Sequence, residues 1–291
     1  MPTKSVTFDF YIFKCPSNQN SLVKALENEI NIRQKDKTNN IKLFDYYCKI
    51  WDITKNDLGI YKANVEKINV LDEAHIGDLD AARITAGTTP KQGPLFDTAF
   101  FYNPKNEIII LQRNRNGLGH KSFISYLMKL TECDDIDLEL VIDSNVLGKL
   151  NKMHLVKTIE YTIANPTTIK FAKKGNRSLD GDLKLAKELL GTKLKVEIGS
   201  PKNGLNLMEA KEKVKTLLGF NDNISKLKMK GNIGEDIETI DLIKNRIIYT
   251  KKYQLTKGKK VSVDMVMDTL SEAYKYHELN LNSMFVNKKE I

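Results

Sequence analysis

Apolar residues run along the chain in short alternating stretches and in stripes of helical period. Residues 5–15 alternate in the manner of a strand, with Val6, Phe8, Phe10 and Ile12 on one face. Ser17 and Asn18 stand where a helix cap is expected. Behind them Leu22, Ala25, Leu26 and Ile30 form the stripe of a helix over about 20–33. A polar loop at 35–40 leads to two predicted strands, 42–53 and 58–68, joined by a turn at Lys55–Gly59. Residues 69–94 hold Gly77, Gly87, Pro90, Gly93 and Pro94 and no sustained period, which predicts a long loop.

A hairpin follows, with strands 95–103 and 107–113 about a turn at Pro104–Asn106. Phe123, Ile124, Leu127 and Leu130 predict a helix over 117–130, and then come a strand at 136–142 and a short helix at 144–151. The second half predicts a strand at 153–164, a helix at 178–190 with Gly191 as C-cap, a strand at 194–198 and a helix at 206–219. Residues 224–230 and 246–256 read as extended, with a basic turn at 256–260. The last helix covers about 262–285, with Val266, Met267, Leu270, Ala273 and Tyr274 facing inward. The class expected is α+β, an antiparallel or mixed sheet in the N-terminal region and a basic, helix-rich C-terminal region. The expected domains are 1–150 and 151–291.

Composition supports a folded chain, with 41% hydrophobic and 29% charged residues among 291. Cys15 and Cys48 lie in apolar runs, where a free cysteine acts as a small hydrophobe, and three cysteines far apart suggest a reducing compartment. The first residues lack the apolar stretch of a signal peptide, and no window reaches the ~18 apolar residues of a membrane span. The expected location is the cytoplasm. The net charge of +9 changes the picture once divided. Residues 1–148 hold 18 Lys and Arg against 20 Asp and Glu, and residues 149–291 hold 28 against 17. The whole basic excess lies in the second half, which points to a polyanionic partner or to a lysine-rich solvated surface.

Catalytic chemistry finds little footing. Asp135, Asp137 and Glu139 resemble the carboxylates of a metal-dependent nuclease, the alternative function, but period 2 makes them the wet face of a half-buried strand. Asp182-Leu183-Lys184 and Glu209-Ala210-Lys211 have the letters of a nuclease tripeptide in helical settings. His75, His120, His154 and His277 are too widely spaced for a zinc site. Gly117-Leu118-Gly119-His120 fits a hairpin-to-helix turn better than a phosphate loop. No enzyme activity, metal or cofactor is called for.

The basic clusters are stronger. They are Lys170, Lys173, Lys174 and Arg177; Lys211, Lys213 and Lys215; Lys226, Lys228 and Lys230; and Lys251, Lys252, Lys257, Lys259 and Lys260. Lys226, Lys228 and Lys230 recur at period 2, so a strand there aligns three ammonium groups along a phosphate backbone. The excess of lysine over arginine favours phosphate contact over the reading of base edges. Arg113 and Arg115 either add a contact or pair with the acidic face at 135–139. The aromatic residues lie in apolar runs away from the lysines, which favours double-stranded DNA over single strands.

The order of elements resembles the RexA-type phage-exclusion proteins, DNA-binding components of two-part abortive-infection systems. The likeness is carried by the hairpin LFDTAFFYNPKNEIIILQR, the helix ending FISYLMKL, the strand MHLVKTIEYTIA, the helix ending KELLG, the strand LKVEI, the helix EAKEKVKTLL and the segment YTKKYQLTKGKK, read as a hairpin, before a long last helix. The resemblance implies a cytosolic homodimer that binds duplex DNA with little sequence preference, senses phage replication and signals to a small membrane channel partner. By position it assigns DNA contacts to Lys193 and Lys195, to Lys211, Lys213 and Lys215, and to Lys226, Lys228 and Lys230.

Overall fold

The N-terminal alternation forms β1 (Thr3–Lys14), and its chemistry explains why it becomes an interior strand. Phe8 and Phe10 on one face and Tyr11 and Phe13 on the other are all buried, so neither side faces water. The computed structural model describes residues 2–76, 84–87, 89–164, 166, 177–218, 224–256 and 259–285. The expected α+β class is the class found, but the domains are not consecutive. One compact unit comprises Met1–Glu139 with Ile248–Ile291, and the second is Leu140–Ile247. The break expected near 150 falls about ten residues earlier, and the last segment belongs with the first.

In unit 1, α1 (Ser21–Arg33) follows β1. Then come β2 (Ile41–Leu43), β3 (Tyr46–Lys55), β4 (Tyr61–Ile68), the short pair β5 (His75–Ile76) and β6 (Ile84–Thr85), β7 (Leu95–Asn103), β8 (Ile108–Gln112), α2 (His120–Thr131) and β9 (Asp137–Leu140). Unit 2 supplies α3 (Ser144–Lys152), β10 (Leu155–Ala164), α4 (Arg177–Glu188), β11 (Lys193–Gly199), α5 (Leu207–Leu218), β12 (Ile224–Ile233) and β13 (Asp236–Asp241). The chain returns to unit 1 through β14 (Ile248–Gln254) and α6 (Val263–Phe285). Among the described residues, no helix is long and apolar enough to cross a membrane.

The large sheet of unit 1 runs β14-β1-β8-β7-β4-β3-β2, with β9 also on β1. Adjacent residues of β7 meet helices on opposite faces. Phe100 packs on Phe123 of α2 at 5.0 Å between ring centroids, and Phe101 stacks on Tyr274 of α6 at 4.8 Å. The Tyr274 hydroxyl also accepts hydrogen bonds from Asn103 Nδ2 (2.7 Å) and Asn106 Nδ2 (2.9 Å), which ties α6 to the β7–β8 turn. The inner face expected for the last helix is the buried one, Val266, Met267, Leu270, Ala273 and Tyr274. Cys15 and Cys48 are buried and free, and burial pushes the Cys48 thiol up to about 12.

Three local expectations are corrected, and one strand is added. Ser17 does not cap α1. Its N–H and hydroxyl both donate to Asp135, each at 2.7 Å, and Asn20 holds the N-cap position without a side-chain bond. At the end of α4, Leu190 and not Gly191 takes the left-handed conformation (φ 53°), while the Gly191 N–H donates to the Ala186 carbonyl at 2.8 Å. The segment YTKKYQLTKGKK is not a hairpin, because β14 pairs antiparallel with β1 from Thr3↔Gln254 to Asp9↔Ile248. β13 was not expected at all. Half of its sequence, DIETID, is acidic, and it holds its place through the ladder to β12.

Two expected outcomes follow. Exposed Glu132 caps α2 in the left-handed region (φ 58°, ψ 29°), so Glu132→Gly should raise stability by roughly 0.5–1 kcal/mol in urea unfolding. Glu29 is fully buried, its Oε1 accepts from Asn39 Nδ2 at 2.9 Å, and its Oε2 has no partner among the described residues. Burial raises its pKa above the ordinary 4.5. The unfolded chain therefore ionises first, and stability falls as pH rises from about 4.5 toward the raised folded value. Thermal melts between pH 4 and 8 should show that decline in the parent and a shallower one in Glu29→Gln.

Candidate nucleic-acid interface

Unit 2 is built on a four-stranded antiparallel sheet in the order β11-β10-β12-β13. The pleat sends alternate residues to opposite faces, and the sequence divides cleanly between them. One face is apolar. Ile159, Tyr161 and Ile163 of β10, Leu227 and Met229 of β12 and Ile240 of β13 are all buried. α4 packs on β11, and α5 packs on β10 and β12 with Ala210, Val214 and Leu217 inward. Asn206 caps α5, its Oδ1 accepting from the Met208 and Glu209 N–H groups.

The opposite face collects lysines from two strands. Lys195 lies opposite Thr162 and Lys193 opposite Ala164 across the β10–β11 ladder. On the other side of β10, Lys226, Lys228 and Lys230 lie opposite Thr162, Glu160 and Thr158. Five lysines from strands 31 residues apart in sequence thus share one face with two threonines. Lys193 and Lys230 are exposed, and Lys195, Lys226 and Lys228 keep 57%, 35% and 31% of their side-chain surface.

Three carboxylates, Glu160, Glu197 and Asp241, occupy the same face. Glu160 Oε1 takes Lys226 Nζ at 2.7 Å and Lys195 Nζ at 3.2 Å, and Lys228 Nζ is 3.9 Å from Asp241 Oδ2. The bond from Lys226, and then that from Lys195, holds the Glu160 carboxyl below its ordinary 4.5. The face is a row of ammonium groups with one carboxylate set between its two strands. Such a row presents ammonium groups to an anion, and surface pairings of this kind are weak.

The other expected contacts do not join this row. Lys211, Lys213 and Lys215 lie on α5, which covers the apolar face. Lys213 Nζ sits 5.6 Å from the centroid of the Tyr161 ring, a core residue of that face. Lys211 Nζ reaches the Asn151 carbonyl at 3.5 Å. The single set of DNA contacts expected from charge is therefore divided by the sheet. Lys259 and Lys260 precede α6 in unit 1, and Lys251 of β14 pairs with Glu272 at 2.6 Å. Lys170, Lys173, Lys174 and Lys257 lie outside the described residues, and Arg177 opens α4. Sequence reasoning passed over Thr158, Glu160 and Thr162. Their signal was the period 2 of KTIEYTIA, which puts polar residues on the face that the lysines share.

The candidate catalytic residues make local bonds. Asp135 is engaged by Ser17, and Glu139 Oε2 pairs with Lys14 Nζ at 2.5 Å. Asp137 accepts from the Leu138 N–H at 2.8 Å. Among the described residues, no three His, Cys, Asp or Glu side chains are grouped so as to hold a metal ion. Arg113 is held by a strand-to-strand pair. It forms a two-pronged bond with Asp9 of β1, with Nε to Oδ2 at 2.9 Å. His120 stacks on Tyr11 at 4.9 Å and bonds the Leu138 carbonyl at 3.0 Å. Gly117 needs its missing side chain, since a Cβ there would stand 2.2 Å from Thr98 Oγ1 and 2.8 Å from the Asp97 carbonyl. The segment is a packed turn.

The model of a family of unknown function, DUF6731, matches residues 97–289, about two thirds of the chain. The chain belongs to this family. The DUF6731 match includes all of unit 2, and hence the lysine face, together with most of β7 and all of β8, α2, β9, β14 and α6 of unit 1. No curated protein matches the chain.

Proposed function

We propose that the lysine face of unit 2 binds the phosphate backbone of double-stranded DNA with little regard to sequence and without catalysis. The observation that carries this is the convergence of Lys193, Lys195, Lys226, Lys228 and Lys230 on one side of the sheet, around Thr158 and Thr162. Unit 2 holds 20 Lys and Arg against 13 Asp and Glu, a balance of +7 out of the chain's +9. Lysine offers a point charge on a flexible stem, and neither Lys nor Thr at these positions supplies the planar fork that reads guanine edges. No aromatic side chain lies on the lysine face among the described residues, so it lacks the stacking platform that single strands require. A chromosomal or phage DNA partner puts the protein in the cytoplasm. The wider role, a sensor in anti-phage defence acting with a small membrane channel, draws its support from the resemblance in element order alone.

Binding to unrelated duplexes, followed by fluorescence anisotropy across a salt series, should weaken steeply with salt and ignore sequence. Lys226→Glu/Lys228→Glu/Lys230→Glu should weaken all duplexes alike. It should also flatten the plot of log affinity against log salt by about 0.9 for each phosphate that is no longer neutralised. The same variant should lose any protection in a plaque assay. No binding by the parent at 50 mM salt sinks the proposal. Glu160→Gln frees Lys195 and Lys226 and should tighten binding by roughly threefold to tenfold, whereas a neutral spacer role for Glu160 predicts no change.

A further inference from the structure

The small sheet ends on one side in β11, and among the described residues nothing pairs with the outer edge of that strand. The Ser200 N–H donates to the Lys157 carbonyl at 2.8 Å, and Thr158 lies opposite Gly199. In an antiparallel ladder this phase turns the N–H and C=O groups of Leu194, Val196 and Ile198 toward β10. Those of Lys195 and Glu197 point outward, free to accept another strand. On the apolar side Ile198 remains 42% exposed, and Leu185 of the adjoining α4 and Leu189 and Leu190 just after it are 56–82% exposed.

We propose that β11 pairs antiparallel with β11 of a second copy of this chain, about a two-fold axis at Val196, and joins two four-stranded sheets into one of eight. The strand reads KLKVEIG and is complementary to itself in that register. Lys195 falls opposite the partner's Glu197, and Glu197 opposite the partner's Lys195. Leu194 meets the partner's Ile198, and Val196 meets its own copy. The outward backbone groups of Lys195 and Glu197 then exchange the ladder hydrogen bonds, as the observed phase requires. A register shift of two residues in one direction sets Lys195 against itself, and in the other it sets Glu197 against itself. Each one-residue slip sets an outward-bonding residue against an inward-bonding one.

The other sheet edges lack this property. β13 (DIETID) and β14 (IYTKKYQ) each carry charge of one sign, so neither can set acid against base across a two-fold axis. β2 has three residues. The apolar residues of β11 and α4 lie on one side of the joined sheet, where the second copy covers them. A two-fold axis normal to the sheet also keeps both lysine faces on the same side. The two β12 rows are then five strand spacings apart, about 24 Å at ~4.8 Å each. Nothing in the pairing depends on that face binding DNA.

Sedimentation of the full chain without nucleic acid tests the pairing. The parent should be dimeric at tens of micromolar. Glu197→Lys sets like charges opposite at both ends of the pairing and should loosen the dimer by roughly tenfold or more. Lys195→Glu/Glu197→Lys restores opposite charges across the axis and should restore the dimer. Glu197→Pro removes an outward N–H that β10 does not use and should leave a folded monomer by circular dichroism. A monomeric parent overturns the proposal, and so does a parent whose dimer survives both Glu197→Lys and Glu197→Pro. Failure of rescue by the charge exchange overturns the register.

Discussion

The pairing of β1 with β14 is the contact on which the large unit depends. β1 opens the chain and β14 comes from beyond residue 247, yet their ladder runs from Thr3↔Gln254 to Asp9↔Ile248. β1 also pairs with β8 along its second edge, from Phe8↔Gln112 to Ile12↔Ile108. A strand with Phe8 and Phe10 on one face and Tyr11 and Phe13 on the other cannot remain at an edge without exposing aromatic surface. β14 therefore completes the burial of β1, and α6, the next element, packs on β7 and β4. At a synthesis rate of roughly 5–20 residues per second, β14 emerges several seconds after the N-terminal part of unit 1, which ends at Glu139. Contacts this remote in sequence also make for slow closure.

The lysine face owes its form to the same alternation that builds the core. Each strand of unit 2 turns one residue to the helices and the next to the open side, so the apolar set Ile159, Tyr161, Leu227 and Met229 fixes where the lysines stand. Core packing thus positions the charge. Glu160 stops the row from being a bare concentration of like charge, because in the free protein it engages Lys195 and Lys226. Surface pairs of this kind add little to stability, typically ~0–1 kcal/mol, so their rearrangement costs little.

Much of this was legible from the sequence. Period 2 located β1, β4, β7, β8, β10 and β11, and period 3.6 located α1, α2, α5 and α6 with their buried faces. The side of β12 that carries lysine followed from the same rule. Strand partners did not follow. YTKKYQLTKGKK has the look of a local hairpin, but β14 bonds a strand more than two hundred residues away, and no local pattern encodes that choice. The α5 lysines misled for a related reason. Charge counted along a sequence ignores which face of a sheet a helix covers, and Val214 and Leu217 turn α5 to the side away from Lys226. Glu29 escaped notice because a carboxylate in a helical stripe ordinarily marks the wet face, and here Asn39 supplies one bond in its place.

The two ends of unit 2 are fastened to each other. The Ile247 N–H donates to the Val141 carbonyl at 2.8 Å, the Asp143 N–H donates to the Asn245 carbonyl at 3.0 Å, and Ile142 bridges to Arg246. A segment of 108 residues that leaves and re-enters its host at one doorway has the anatomy of a cassette. Its gain, loss or exchange over evolution would leave the host chain only a short gap to close, so the lysine-bearing part and the aromatic-rich sheet can have had separate histories.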